Sequence, residues 1–190
     1  MTASPTAAGP AIDLAVDLKA LIRSVPDFPR PGILFRDVTT LIGHGAGFAA
    51  AVELLAEQAD AAGAQAIAGI EARGFIFGAA AAARLGIGFV PVRKPGKLPV
   101  PVLALDYALE YGTGTLEIDP DAFPPGQRIA VIDDLLATGG TALAATQLLR
   151  KASAEVTQAL FVIDLPDLGG SHRLREAGLT VSALMDFPGH

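Results

Sequence analysis

The segment VIDDLLATGGTALAA, residues 131–145, combines side chains and glycines that could together bind one ligand. Asp133 and Asp134 are adjacent carboxylates, and an ionised carboxylate binds cations or accepts hydrogen bonds from hydroxyl groups. Two glycines stand between two threonines a few residues later, where the sequence predicts the start of a helix. Glycine backbone, threonine hydroxyls and the free N–H groups of a helix N-terminus can bind phosphate without a lysine.

The two halves of this segment favour different groups on the ligand. The carboxylates would repel a phosphate, but a ligand with a phosphate at one end and a vicinal diol at the other satisfies both halves. A ribose 5-phosphate has this form. The chain contains neither GxxxxGK[ST] nor GxGxxG, which argues against a P-loop and a dinucleotide fingerprint. The structural alternative is that Asp133 caps or turns the chain and the Gly-Gly pair ends a strand.

Apolar runs and helical periodicity elsewhere predict the elements that position this segment. The predicted strands are 66–70, 87–93, 128–133, 156–164 and 179–185, the predicted helices are 12–24, 47–61, 74–84, 141–152 and 170–177, and a hairpin is predicted around 105–119. Strands that alternate with helices indicate an α/β fold with a parallel sheet covered on both faces. Ligands bind beyond the carboxyl ends of such strands, where EARG (71–74) and DDLLATGGT (133–141) both fall.

Composition narrows the class of protein. A chain of 190 residues with 51% hydrophobic and 18% charged residues predicts one folded domain, here 11–190, after an Ala/Pro/Gly/Thr-rich flexible leader at 1–10. A net charge of −6 gives no basic field for nucleic acid. The chain has no cysteine, no apolar run long enough to span a membrane and no secretory signal, which predicts a cytoplasmic protein without membrane or nucleic-acid partners.

The segment VIDDLLATGGTA resembles the phosphoribosyl pyrophosphate motif of the type I phosphoribosyltransferases. Four further segments resemble the members that act on adenine, in their order and at their spacing: IRSVPDFPRPGILFRDVTTL (22–41), IAGIEARGFIFGAA (67–80), GFVPVRKPGKLP (88–99) and YALEYGTGTLEI (107–118). The resemblance covers about residues 14–185. It implies a central parallel sheet flanked by helices, a small hood over the base at about 22–41 and a flexible lid at about 98–119.

The resemblance implies transfer of ribose 5-phosphate from phosphoribosyl pyrophosphate to N9 of adenine, giving AMP and pyrophosphate, in a homodimer. Mg²⁺ would be carried by the pyrophosphate. Asp133 and Asp134 would bind the ribose hydroxyls and stabilise positive charge on the sugar, and the 5-phosphate would be bound by Ala137, Thr138, Gly139, Gly140 and Thr141. The alternatives are a transferase for hypoxanthine, xanthine or orotate, and a non-catalytic regulator that senses phosphoribosyl pyrophosphate.

Cations are needed where pyrophosphate leaves. Arg73 follows a predicted strand, and its guanidinium can bind two oxygens at once. The resemblance implies a cis peptide at Glu71–Ala72, just before this arginine. Arg93, Lys94 and Lys97 form a second cationic cluster, part of which can serve the partner subunit's site in the family. For the two lysines, the alternative is a solvated basic turn.

The resemblance assigns proton exchange with adenine N7 to Glu110. Glu110 and Tyr111 lie in the predicted lid, whose closure would exclude water. The alternative is an ordinary surface glutamate. The histidines are spread over different segments without metal-ligand spacing, and we predict that all three are non-catalytic: His44, His172 and His190.

Adenine requires a flat apolar slot with a few polar contacts. By resemblance, Leu34, Phe35 and Arg36 belong to the segment that covers the base, with Leu135 beneath it. Two alternatives stay open: Phe35 could belong to the core, and Arg36 could form a salt bridge with Asp37.

Overall fold

Five parallel strands form the central sheet of the computed structural model, which describes residues 15–109 and 112–189. Numbered in chain order, they are β3 (Ala66–Ile70), β4 (Gly88–Val92), β7 (Arg128–Leu136), β8 (Glu155–Asp164) and β9 (Thr180–Asp186). Their order across the sheet is β4-β3-β7-β8-β9. All five residues of β3 are buried, as expected for parallel strands covered by helices.

Helices cover both faces of this sheet. Phe77 is fully buried in the core on one face and Leu148 in the core on the other. The first face carries α2 (Gly45–Ala61) and α3 (Arg73–Leu85), the second carries α4 (Gly140–Lys151), and two short helices are α1 (Thr39–Gly43) and α5 (Gly170–Glu176). The predicted α/β fold is therefore confirmed. Over the described residues, none of these helices has the length and apolar character to cross a membrane.

Two antiparallel hairpins lie outside the central sheet. The hood hairpin consists of β1 (Arg23–Pro26) and β2 (Leu34–Asp37), and the lid hairpin of β5 (Leu103–Leu109) and β6 (Gly112–Ile118). Leu116 of β6 is buried in the same core as α4, which fixes the base of the lid hairpin against the domain.

Two predicted elements differ from the structure. The helix predicted at 12–24 is wrong where it is described: a 3-10 turn at Lys19–Leu21 leads directly into β1. Its apolar spacing fits a helix, but the backbone from Arg23 onwards pairs with β2 instead. The strand predicted to end at Asp133 continues to Leu136, so both carboxylates belong to β7. The first three residues of that helix and the leader at 1–10 lie outside the described residues.

The chain changes its direction across the sheet between β3 and β7. From β3 it passes to β4 on one side, and from β7 it continues through β8 to β9 on the other. Such a switch point is where open α/β sheets bind ligands, beyond the carboxyl ends of the strands. Since α3 starts at Arg73 and α4 at Gly140, EARG and the ATGGT segment lie side by side there.

Candidate active site

The predicted phosphate loop (Ala137–Thr141) joins β7 to α4. Gly139 adopts the left-handed conformation with φ of 75°, which favours glycine, and none of the side chains that the structure describes caps the N-terminus of α4. The loop and its flanking residues line a cavity of about 100 Å³. Uncapped helix N–H groups at such a cavity are suited to an anion.

A larger cleft of about 450 Å³ lies between the ends of β3 and β7. Asp133, Leu135 and Thr141 line both the cleft and the smaller cavity, so one ligand can extend across the two. The other residues that line the cleft are Ile70, Glu71, Ala72, Arg73, Lys94, Tyr107, Leu116 and Asp134.

Arg73 and Asp134 form an ion pair in this cleft. Arg73 Nε donates to Asp134 Oδ2 at 2.6 Å. The Asp134 side chain is only 6% exposed, whereas that of Arg73 is 45% exposed. The buried carboxylate therefore has the cation that burial of a charge requires.

Asp133 lies close to the start of α3. Its Oδ1 accepts a hydrogen bond from the backbone N–H of Asp134 at 2.9 Å, and a Cβ on Gly74 would lie 2.7 Å from the same oxygen. Burial, followed by the charge of Asp134, raises the pKa of Asp133 well above its ordinary value. Beside the phosphate loop, Arg73 thus compensates the charge of Asp134, and burial disfavours the charged form of Asp133.

The three residues of the second cationic cluster, Arg93, Lys94 and Lys97, have different surroundings. Glu71 Oε2 accepts hydrogen bonds from Arg93 Nε at 3.3 Å and from the backbone N–H of Lys94 at 2.9 Å. These bonds, that of Lys94 above all, lower the pKa of Glu71. Of this cluster, Lys94 lines the cleft, Arg93 holds Glu71, and Lys97 is exposed. The peptide at Glu71–Ala72 is cis, as the resemblance implies.

The hood hairpin brings an aromatic group to the edge of the cleft. Phe35 packs edge to face against Phe28 with ring centroids 5.2 Å apart, and Arg73 Cζ lies 5.6 Å from the Phe35 centroid. Phe35 is half-buried and Leu34 is exposed, so the alternative that Phe35 belongs to the core is wrong. Leu135 lines the cleft itself.

Arg36 points towards the C-terminal segment instead. Its Nη2 donates to the carbonyl of Pro188 at 3.2 Å, and its Cζ lies 4.5 Å from the centroid of the Phe187 ring. The structure does not bring it together with the residues that line the cleft. The alternative salt bridge with Asp37 is also wrong, because Asp37 pairs with Arg23 across the hood hairpin.

Tyr107 is a cleft residue that the sequence did not reveal. Thr141 Oγ1 of the phosphate loop lies 3.4 Å from the Tyr107 hydroxyl. The ring lies against Gly114 of β6, where a Cβ would be 2.8 Å from Tyr107 Cζ. The sequence offered two signals: Tyr107 begins the segment YALEYGTGTLEI that carries the resemblance, and it is a bulky residue paired across the hairpin with a glycine. Glu110 and Tyr111 lie outside the described residues.

The described histidines take structural positions. His44 Nδ1 accepts the backbone N–H of Gly47 at 3.0 Å and so caps α2. His172 lies 3.3 Å from Glu176 on the surface of α5. His190 lies outside the described residues.

The sequence matches the phosphoribosyl transferase domain family over residues 39–172. It is 71% identical over 174 residues to the adenine phosphoribosyltransferase of Novosphingobium aromaticivorans, a match that covers 92% of this chain and 98% of the relative. The fold is similar to the crystal structure of adenine phosphoribosyltransferase from Thermoanaerobacter pseudethanolicus, with a TM-score of 0.85, 45% identity and coverage of 90% and 98%. The enzyme from Saccharomyces cerevisiae, complexed with an imino-altritol bisphosphate and adenine, gives a TM-score of 0.83 at 36% identity and covers 88% and 96%. The chain therefore belongs to the phosphoribosyl transferase family and, within it, to the adenine phosphoribosyltransferases.

Proposed function

We propose that the cleft of this chain joins ribose 5-phosphate from phosphoribosyl pyrophosphate to N9 of adenine, releasing AMP and pyrophosphate. One observation carries the proposal: the anion cavity at the start of α4 continues, through Asp133, Leu135 and Thr141, into the cleft with Arg73. Phosphoribosyl pyrophosphate needs three sites in a row: an anion site for its phosphate, carboxylates for its sugar and a cation for its diphosphate.

The 5-phosphate would be held by the phosphate loop. The free N–H groups at the start of α4 point their partial positive charge at the small cavity, and the hydroxyls of Thr138 and Thr141 add donors. The ion pair of Asp134 with Arg73 reduces the repulsion that two ionised carboxylates would exert on this phosphate.

The carboxylates of β7 would act on the sugar. Positive charge develops on the anomeric carbon as the bond to pyrophosphate breaks, and a carboxylate already fixed beside it stabilises that charge. Asp134 is the carboxylate whose ionised form the structure supports, because Arg73 is bonded to it. Asp133, which lines the same cleft, would hydrogen-bond a second ribose hydroxyl.

Pyrophosphate would leave towards Arg73 and Lys94. Both line the cleft on the side of β3, and Asp134 binds only Nε of Arg73, so its Nη nitrogens remain available for phosphate oxygens. Among residues 15–109 and 112–189, no group of three or more acidic, His or Cys side chains could hold a metal. A hard cation that keeps its waters and binds through substrate phosphates suits such a cleft, so we propose that Mg²⁺ arrives with the pyrophosphate and neutralises part of its charge.

Adenine would lie between the hood hairpin and β7. The half-buried Phe35 and the cleft residue Leu135 supply apolar surface for a flat base. Glu110 would exchange a proton with adenine N7 as N9 bonds to the sugar, with Tyr111 beside it in the lid. The lid hairpin would border the same ligand, because Tyr107 lines the cleft.

We also propose a cytoplasmic homodimer. Ile76 on α3 is 40% exposed, and Val100 and Val102 before β5 are 41% and 38% exposed. Exposed apolar side chains of this size are expected where a second copy covers the surface. A partner that covers Val100 and Val102 would also adjoin the basic segment that contains Lys97, which lies just before them in the chain.

The function is tested by incubating the purified chain with phosphoribosyl pyrophosphate, MgCl₂ and one base at a time: adenine, hypoxanthine, xanthine or orotate. We expect AMP from adenine and no comparable nucleotide from the other bases. Nucleotide formed from a different base would identify a transferase of other specificity. Calorimetric binding of phosphoribosyl pyrophosphate without turnover of any base would instead indicate the regulator.

A further inference from the structure

The guanidinium of Arg173 lies beside the phosphate loop, although Arg173 is not part of the loop's own sequence. A Cβ placed on Gly140 would lie 3.7 Å from Arg173 Nη1, 3.9 Å from Thr138 Oγ1 and 3.4 Å from the carbonyl oxygen of Ala108. Arg173 belongs to α5 and Ala108 to the lid hairpin. A cation of α5, a hydroxyl of the loop and a carbonyl of the lid hairpin therefore surround one position beside Gly140, the first residue of α4.

The backbone that carries Arg173 is fixed to the phosphate loop. Gly170, at the start of α5, donates its N–H to the carbonyl of Ala137 at 3.1 Å, and a Cβ on Gly170 would lie 2.2 Å from that oxygen. A Cβ on Gly139 would in turn lie 3.1 Å from Gly170. One turn later, Leu174 is fully buried in the core. The Cα of Arg173 thus has a defined position beside the loop, while its side chain is exposed.

The Arg173 guanidinium has no other use in the part of the chain that the structure describes. It makes no hydrogen bond or ion pair there, whereas the guanidinium of Arg73 binds a carboxylate and that of Arg150 binds backbone carbonyls. Residues 131–149 contain no Lys or Arg. The loop therefore offers amides and hydroxyls to a phosphate but no full positive charge, and Arg173 is placed where that charge is missing.

We infer that Arg173 is a substrate-binding residue, whose guanidinium donates hydrogen bonds to the ribose 5-phosphate in the phosphate loop. The inference deepens the proposed function, since it rests on the loop binding that phosphate. A guanidinium has five donors in a planar fork, so it can bind a phosphate oxygen and the carbonyl of Ala108 together.

The test compares R173A with two matched variants. R175A removes an exposed arginine of the same helix that makes no side-chain hydrogen bond or ion pair within the described residues. R173K keeps the charge but loses the fork. Affinity for ribose 5-phosphate is measured by calorimetry, and KM for phosphoribosyl pyrophosphate and for adenine by initial rates. Thermal melting verifies that each variant is folded.

We expect R173A to weaken ribose 5-phosphate binding and to raise KM for phosphoribosyl pyrophosphate roughly tenfold, as the loss of one charge-assisted hydrogen bond predicts. KM for adenine should stay unchanged, R173K should fall between R173A and the wild type, and R175A should match the wild type. Equal affinities of R173A and the wild type for ribose 5-phosphate would overturn the inference. So would an equal loss in R175A. If the wild type binds ribose 5-phosphate through Arg173 but makes no AMP, the proposed function fails while the inference stands.

Discussion

Arg73 Nε lies 2.6 Å from Asp134 Oδ2, so the first residue of α3 and a carboxylate of β7 form one ion pair across two neighbouring strands. From the sequence, we expected Arg73 to bind pyrophosphate and Asp134 to bind the ribose hydroxyls, which are different parts of the substrate. The structure shows that each is also the other's partner. Removing the arginine leaves a buried carboxylate without its cation, which is costly in itself.

The pairing predicts that R73A and D134N are not independent. Each single variant should lower kcat/KM by roughly 10²–10³-fold, the usual effect of removing one charge that stabilises a transition state. The double variant should lose far less than the product of the two losses, because either change already breaks the pair. The measurement is a double-mutant cycle on initial rates.

The same helix offers a control for this cycle. Arg84 Nε binds Glu53 Oε2 at 2.6 Å, the same distance, at the opposite end of α3 from the cleft. R84A should leave kcat/KM within about twofold of the wild type, as expected for an exposed ion pair. Losses from R73A and D134N that simply multiply would show that the pair does not act as a unit.

Glu110 has a role that the resemblance assigns, and substitution can test it. E110Q keeps the size of the side chain but cannot accept a proton, so kcat should fall by roughly 10²–10⁴-fold while KM for phosphoribosyl pyrophosphate changes little. D106N is the control, because Asp106 is an exposed carboxylate of the same hairpin that binds Thr115. An unchanged kcat in E110Q would assign the proton exchange to another group.

The Tyr107 hydroxyl, 3.4 Å from Thr141 Oγ1, connects the lid hairpin to the phosphate loop. Y107F should raise KM for phosphoribosyl pyrophosphate by about three- to tenfold, the effect of losing one neutral hydrogen bond. G114A should have a larger effect, up to about 10²-fold in kcat/KM, because a Cβ 2.8 Å from Tyr107 Cζ displaces the ring.

A combined variant separates this contact from a general change in the hairpin. In Y107A the ring is absent, so adding G114A should cause little further loss in kcat/KM. If G114A is as harmful in the Y107A background as in the wild type, the glycine acts on the backbone of β6 and not on Tyr107.

The sequence predicted the parts of the site that depend on neighbouring residues. Apolar strands followed by glycine-bearing turns indicated both EARG and the phosphate loop. A few consecutive residues are enough to predict where a strand ends and a helix starts. The hairpin and the five strands of the central sheet were predicted correctly because they too depend on patterns of consecutive residues. Helical spacing in 12–24 gave the wrong element, since the pairing of β1 with β2 outweighs a local periodicity.

Contacts between distant parts of the chain could not be predicted in this way. Tyr107 reaches Thr141 across 34 residues, and Arg36 binds Pro188 across 152. Nothing in the local sequence of α5 shows that Arg173 stands beside Gly140. The positions of these side chains depend on how the hairpins and helices pack on the sheet. The same packing brings Tyr107 and Leu116 of the lid hairpin into the cleft.

Asp37 makes the stability of the hood hairpin depend on pH. Its carboxylate accepts hydrogen bonds from Thr39, with the backbone N–H at 2.9 Å, and from Arg23, with Nε at 3.1 Å. These bonds, those of Thr39 first, lower the pKa of Asp37 from 3.8 to about 2. The unfolded chain therefore binds this proton at a higher pH than the folded chain does. The contribution to stability is complete above the unfolded pKa and disappears as the pH falls through the folded one.

We therefore expect D37N to reduce the free energy of unfolding by on the order of 1–2 kcal/mol at pH 7, and by progressively less between about pH 4 and pH 2. Urea titrations of D37N and the wild type across this range measure the difference directly. R23Q should show the same trend with a smaller amplitude, because the bonds from Thr39 affect the carboxylate more than Arg23 does. A difference between D37N and the wild type that stays constant from pH 7 to pH 2.5 would mean that the charge on Asp37 does not stabilise the hood hairpin.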